Sequence, residues 1–256
     1  MSPPTGSLDG RVALVTGASR GLGEAIARRL AVCGARVGVN YFASAGRAEH
    51  VVAAIREAGG TAEAFRADVR VESEVTALVR AVESAFGPVD ILVPNATGPQ
   101  PFFSVEELTW QACLDQLEFF VKSPLLLMRA VIGSMKARRF GRIVNIGAEA
   151  FERGQPRFGN YVSAKGAQLG LTRTWAVELI ACGITVNMVS PGWIPTERHA
   201  GDPRELKDAY LQAIPAGHWG LAEDVAGAVA YFASDPTGFV TGQNLAVNGG
   251  VTLAPV

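Results

Sequence analysis

Apolar residues fall into short β-branched runs, separated by longer stretches in which they recur every three or four positions. The runs predict strands over residues 12–16, 36–40, 62–66, 91–93, 142–146, 185–189 and 245–247. Between them, residues 23–32, 48–58, 72–86, 161–181 and 222–233 carry helical spacing; in the third of these Val75, Leu78, Val79, Val82 and Phe86 line one face. Runs that are apolar nearly throughout, rather than alternating, predict a parallel sheet covered on both faces. Strand and helix in alternation then imply right-handed crossovers and an α/β, doubly wound parallel sheet of about seven strands with helices on both faces.

Two segments break the rhythm. Residues 94–103 hold Pro94, Pro99 and Pro101, which forbid regular structure. Residues 191–217 hold four prolines around a polar helical piece at 203–212. Both follow strands, and open α/β sheets bind ligands beyond the carboxyl ends of their strands, so both are candidate walls of a site, the second as a lid. No repeat or linker divides the chain, which predicts a single domain over residues 1–256 with a flexible tail at 1–9.

Composition narrows the function classes. A net charge of −1 provides no basic field for nucleic acid or anionic lipid. Arg138, Arg139 and Arg142 form a local cluster, read as a solvated helix end. Cys33, Cys113 and Cys182 lack paired spacing, and the three histidines form no helical pair, so neither a disulfide framework nor a protein metal site is expected. No apolar run is long enough to span a bilayer, and the N-terminus lacks a leader pattern. A cytoplasmic protein without membrane or nucleic-acid partners is expected.

The chemistry begins after the first strand, at Thr16-Gly17-Ala18-Ser19-Arg20-Gly21-Leu22-Gly23. A glycine-rich strand-to-helix turn lets backbone approach phosphates closely, and the helix start offers free N–H groups to them. With this spacing the chain resembles the short-chain dehydrogenase/reductase family, and within it the 3-oxoacyl-ACP reductase kind. The resemblance runs along essentially the whole chain: Asp68-Val69, Asn95-Ala96, Tyr161-x-x-x-Lys165, Pro191-Gly192, Thr196, Thr241-Gly242-Gln243 and Asn248-Gly249-Gly250 all fall in register. It implies a Rossmann-type fold, a nicotinamide cofactor, a small carbonyl or alcohol substrate, and a homotetramer, with a dimer as the alternative. Gly17, Ser19, Arg20, Gly21, Leu22 and Gly23 would meet the phosphates, Asp68 and Val69 the adenine, Asn95 and Ala96 the cleft floor. Tyr161, Lys165, Pro191, Gly192, Ile194 and Thr196 would surround the nicotinamide end.

The second strand ends in Asn40-Tyr41 without the carboxylate that would repel a 2′-phosphate. Arg20 and Ser44 could instead meet that phosphate, so NADP(H) is expected over NAD(H). Tyr161 and Lys165, four apart in a helical stretch, project from one face. A phenol with an ordinary pKa near 10 needs help to act at neutral pH, and a neighbouring ammonium would lower it.

Two departures from the family pattern stand out. The position thirteen residues before the tyrosine, usually a serine that donates to the substrate oxygen, is Ala148. An engineered serine-to-alanine change, a natural enzyme with another donor, and a protein without normal reductase turnover all remain open readings. Ser163, on another helix face, and Glu149, an acceptor only, are poor replacements. The family's helix asparagine falls at Phe120 when counted back from Arg142, and at Leu117 counted forward from Trp110, as though about three residues were inserted. Pro94 and Thr97 also replace outer positions of the Asn95-Ala96 motif.

On the substrate side, Phe102, Phe103, Phe151, Phe158, Trp193 and Trp219 lie in segments near the expected mouth. With Phe120, Glu149 and His199 they form the candidate substrate wall, which predicts a bulky apolar carbonyl compound. The expected function is NADP(H)-dependent interconversion of a carbonyl and a secondary alcohol. The alternatives are a nucleotide-binding scaffold, or a lyase or isomerase that uses Tyr161 without net hydride transfer.

Overall fold

A computed structural model describes residues 7–252. The elements run β1 (Val12–Val15), α1 (Gly21–Val32), β2 (Arg36–Tyr41), α2 (Ala45–Glu57), β3 (Thr61–Arg66), α3 (Glu72–Phe86) and β4 (Ile91–Val93). They continue as α4 (Trp110–Leu117), α5 (Ser123–Arg138), β5 (Gly141–Ile146), α6 (Ala150–Arg153), α7 (Gly159–Leu179) and β6 (Ile184–Pro191). The last are α8 (Arg204–Ala213), α9 (Ala222–Ala233) and β7 (Asn244–Val247). All seven strands form one parallel sheet in the order β3-β2-β1-β4-β5-β6-β7. The order reverses between β1 and β4, which opens a crevice at their carboxyl ends.

The sheet separates two apolar layers. Ile26 and Leu30 of α1 pack with Val51 and Ile55 of α2 and Val225 and Val229 of α9 against one face. Val75, Leu78, Val79 and Val82 of α3, with Leu127, Val131 and Met135 of α5, cover the other. The strands β1, β4, β5 and β6 are buried along their whole length, as their unbroken apolar runs predict. The outermost β3 instead alternates exposed and buried residues, because an edge strand meets solvent on one face.

Two expectations change. The tail expected over 1–9 does not extend to Leu8, which is fully buried and donates its N–H to the Cys33 carbonyl at 2.6 Å; residues 1–6 lie outside the described residues. The arginine cluster is a solvated helix end only in part: Arg138 and Arg139 are exposed at the end of α5, but Arg142 is not. Arg142 is buried in β5, where its guanidinium donates to the carbonyls of Ser234 and Gly141 and stacks 4.4 Å from the centre of Phe140. Arg138 pairs with Asp90, and Arg139, at φ 52, closes α5 and donates to the Ala181 carbonyl.

Candidate active site

The glycine turn is clamped by two asparagines. Thr16, fully buried at the end of β1, accepts the backbone N–H groups of Asn95 (2.9 Å) and Ala96 (3.0 Å) on its hydroxyl. Asn95 Nδ2 returns a bond to the Thr16 carbonyl at 2.8 Å. From the other side, Asn40 Oδ1 accepts the Gly17 N–H at 3.2 Å while its Nδ2 donates to the Phe65 and Ala67 carbonyls. The Asn40 side chain is therefore spent on the turn and on β3. Gly17 sits at φ +61, and a Cβ there would stand 2.8 Å from Ala96 Cα; one at Gly23 would stand 2.5 Å from Asn95 Nδ2. Only glycine permits that closeness.

Beyond the turn, no side chain caps α1, so its first N–H groups face the crevice at the positive end of the helix dipole. Arg20 extends from its start with a mostly exposed side chain. Leu22 packs on the core, and Ser19 is half-buried beside it. After β3, Arg70 holds the Asp68 carboxyl below its usual range through bonds of 2.9 and 2.7 Å. Val69 is buried behind it. Tyr41 packs against the core, and the Ser44 hydroxyl precedes α2 without capping it.

Tyr161 and Lys165 come together on α7, both almost fully buried. The Tyr161 ring is stacked at 4.5 Å on Phe158, which is in turn stacked at 4.3 Å on Phe102. Phe120 meets Tyr161 edge-on at 5.2 Å. This apolar box raises the phenol's pKa above its ordinary value through burial, with Arg198 opposing. Lys165 Nζ donates to the Ile146 carbonyl at 2.6 Å and to Gln168 Oε1 at 3.2 Å, and lies 3.7 Å from the centre of the Phe120 ring. Burial also drives the lysine well below its ordinary pKa. Both shifts favour neutral forms, whereas a protonated lysine was expected to acidify the tyrosine; desolvation outweighs that help here.

Of the two candidate positions for the family's helix asparagine, Phe120 is the one that reaches Lys165. Residues Glu118–Lys122 form a π-helical turn between α4 and α5, and its extra residue carries Phe120 inward over Lys165. Phe120 is thus sealed beneath Tyr161 rather than lining an open wall. Ala148 packs in the same cluster with Tyr161, Phe158 and Ala164. Ser163 donates to its own helix, at the Asn160 carbonyl.

Residues after β6 cover the site. Gly192 donates to the Val247 carbonyl, and a Cβ on it would come within 2.7 Å of the Tyr210 hydroxyl. Ile194 is buried in the apolar layer shared with α1 and α9, with Gly220 against it. The Thr196 N–H donates to His199 Nδ1 at 3.2 Å, and burial lowers the pKa of that histidine. Glu197 reaches back to Arg20 at 3.8 Å, and Arg198 Nη2 donates to the Gly98 carbonyl at 3.2 Å. Trp193, Tyr210 and Trp219 pack together, Tyr210 and Trp219 in a stack at 5.6 Å. A cleft of about 400 Å³ opens between Trp193, Trp219, His199 and the α8 residues Arg204 and Lys207.

Phe151 turns the other way, with its ring against Gly166 of α7. Glu149 instead faces the lid, where Oε1 accepts from the Tyr210 hydroxyl at 2.5 Å and from Arg153 at 3.2 Å. Tyr210, Gln168 and Arg198 are the site residues that the sequence reading missed. Gln168 follows Lys165 at a helical step of three and was the one within reach of a pattern argument.

A glycine-clamped helix start and a buried tyrosine–lysine pair, both at the carboxyl ends of one parallel sheet, define a doubly wound α/β protein with its site at the strand-order reversal. The family described as enoyl-(acyl carrier protein) reductase matches residues 17–252. The chain is 39% identical over 243 residues to 3-oxoacyl-[acyl-carrier-protein] reductase FabG of Staphylococcus epidermidis, covering 94% of this chain and 98% of that protein. Among solved structures it resembles a dehydrogenase/reductase from Sinorhizobium meliloti, with TM-score 0.88, 37% identity and coverage of 97% and 98%. It also resembles a 3-oxoacyl (acyl-carrier-protein) reductase from Agrobacterium tumefaciens solved with NADP bound, with TM-score 0.90, 31% identity and coverage of 98% and 97%. The chain belongs to the short-chain dehydrogenase/reductase family and is an oxidoreductase similar to its 3-oxoacyl-ACP reductases. Among the described residues, no helix is long and apolar enough to cross a membrane.

Proposed function

We propose that the protein is an NADP(H)-dependent oxidoreductase interconverting a carbonyl group and a secondary alcohol, with Tyr161 as its acid–base group. The observation that carries this reading is the buried Tyr161–Lys165 pair, brought together on α7 beside the crevice.

The crevice suits a dinucleotide. The uncapped start of α1 offers free N–H donors to a pyrophosphate, and the Gly17–Ala96 contact leaves backbone rather than side chain at the floor. Asn40 has no charge to repel a 2′-phosphate, and the exposed Arg20 guanidinium can pair with one. When bound, the nicotinamide supplies a hydride in reduction and takes one up in oxidation. Tyr161 Oη holds the proton that the substrate oxygen needs. Its raised pKa keeps that proton in place until an anionic oxygen develops beside it. Lys165 ties α7 to the end of β5 through Ile146 and so fixes where the phenol stands. Arg198 brings a cation close to the phenol and opposes its burial.

The substrate is a small molecule with an apolar body, supported by Phe102 and Phe158 on one side and Trp193 and Trp219 on the other. Exposed Trp110, Leu125 and Val177 on α4, α5 and α7, with Tyr231, Phe239 and Leu245 between α9 and β7, are large apolar side chains that contacts between copies would cover, which supports a homotetramer. A cytoplasmic location and a single-domain chain complete the proposal.

Titration of NADPH and NADH by nicotinamide fluorescence tests the cofactor assignment. Arg20→Ala is expected to weaken NADPH roughly 10-fold and leave NADH within about twofold, in line with the loss of one charge-assisted pair. A wild-type preference for NADH would overturn the assignment.

A further inference from the structure

Glu149 is the next residue after Ala148, where the family places its serine, and it is 5% exposed. One carboxylate oxygen, Oε1, is used twice, by the Tyr210 hydroxyl at 2.5 Å and by Arg153 Nη1 at 3.2 Å. The other, Oε2, is buried and has no hydrogen-bond partner among the described residues. An orphaned carboxylate oxygen is among the more costly buried groups, so its retention points to a partner that arrives from outside the chain.

The surroundings say where that partner comes from. Ala148 and Ala150, on either side of Glu149, both pack in the Tyr161–Phe158–Phe120 cluster. The Glu149 backbone N–H donates to the Pro191 carbonyl, and Tyr210 stands over Gly192 while accepting the Trp193 N–H at 2.8 Å. Glu149 therefore bridges the tyrosine cluster and the lid. Burial, followed by the carboxylate itself, raises the Tyr210 phenol's pKa, so Tyr210 stays a donor to Oε1 and does not turn toward a ligand. Arg153 already offsets the carboxylate charge, so the missing donor is a neutral one.

We propose that Glu149 is a specificity-determining residue: its free oxygen accepts a hydrogen bond from a hydroxyl that the substrate carries near its carbonyl. The preferred substrate is then a hydroxy ketone with an apolar body, or a diol in the reverse direction. The proposal rests on the reductase reading above and deepens it.

The test compares ketones that differ only by hydroxyl against methyl, with NADPH oxidation as the readout. The pairs are α-hydroxyacetophenone against propiophenone and β-hydroxypropiophenone against butyrophenone, assayed with wild type, Glu149→Leu and Tyr210→Phe. Wild type is expected to favour the hydroxy member of at least one pair by roughly 10–100-fold in kcat/KM. Glu149→Leu should bring that ratio to about one, because any disturbance of the lid lowers both members alike. Tyr210→Phe, which loosens the lid without removing the acceptor, should keep the ratio. A ratio near one in wild type, or a ratio unchanged in Glu149→Leu, overturns the hydroxyl subsite alone. Absence of turnover with every ketone overturns the reductase reading and this one with it.

Discussion

Replacing Phe120 probes the departure that most reshapes the site. Its ring is buried under Tyr161 and lies 3.7 Å from Lys165 Nζ, delivered there by the π-helical turn at Glu118–Lys122. Truncating a buried phenylalanine to alanine costs about 3–5 kcal/mol through lost transfer energy and the cavity left behind. The edge-to-face contact with Tyr161 accounts for about 0.5–1.5 kcal/mol of that. Burial lowers the pKa of Lys165 and so weakens any cation–π share. For a chain of this size each kcal/mol moves Tm by roughly 2–4 °C, so Phe120→Ala should lower Tm by about 6–20 °C. Phe119→Ala is the control: that ring is half-buried and lies against Gly98 and the Arg70 guanidinium on the outer side. It should cost less than half as much. Denaturant melts of both variants at pH 7 supply the comparison. A loss below about 1 kcal/mol for Phe120→Ala, or equal losses for the two, would refute the claim that Phe120 is the keystone under the tyrosine.

Lys165→Met tests the electrostatics through the pH dependence of stability. The lysine's folded pKa lies below its unfolded value, so between the two the unfolded chain binds more protons and stability rises with pH. Wild type should gain up to about 1.4 kcal/mol per pH unit in that window, up to pH about 10, and the variant should lose this contribution. A slope over pH 7–10 that the substitution leaves unchanged would show that the amine is not buried as described. Ala148→Ser adds a donor beside Tyr161; if no side chain has taken over that role, kcat should rise on the order of 10-fold or more. An unchanged kcat would point to another donor, with Arg198 the first to examine.

The fold was legible because its strands are apolar runs and its helices keep their period. The strand limits moved by two residues at most, chiefly in β6, which continues through Ser190 and Pro191. What escaped the pattern was decided by contacts distant in sequence. Leu8 reads as part of a polar tail until the Cys33 carbonyl and the α1 layer receive it. Arg142 reads as a surface cation until carbonyls from Ser234 and Gly141 enclose it. The site was half legible. Thr16, Gly17, Asn95, Tyr161 and Lys165 carry spaced motifs, whereas Tyr210 lies in a polar helix with no motif, and its link to Glu149 spans 61 positions. The insertion near Phe120 was visible as a counting mismatch, but only the π-helical turn shows which residue it brings to Lys165.

The most direct measurement of the central claim is single-turnover oxidation of NADPH against a phenyl ketone by wild type and Tyr161→Phe, alongside NADPH binding by fluorescence. The account predicts that the variant binds NADPH within about threefold of wild type while hydride transfer falls by at least about 100-fold, the share usual for a positioned acid–base group. Hydride transfer at wild-type rate in Tyr161→Phe would contradict it.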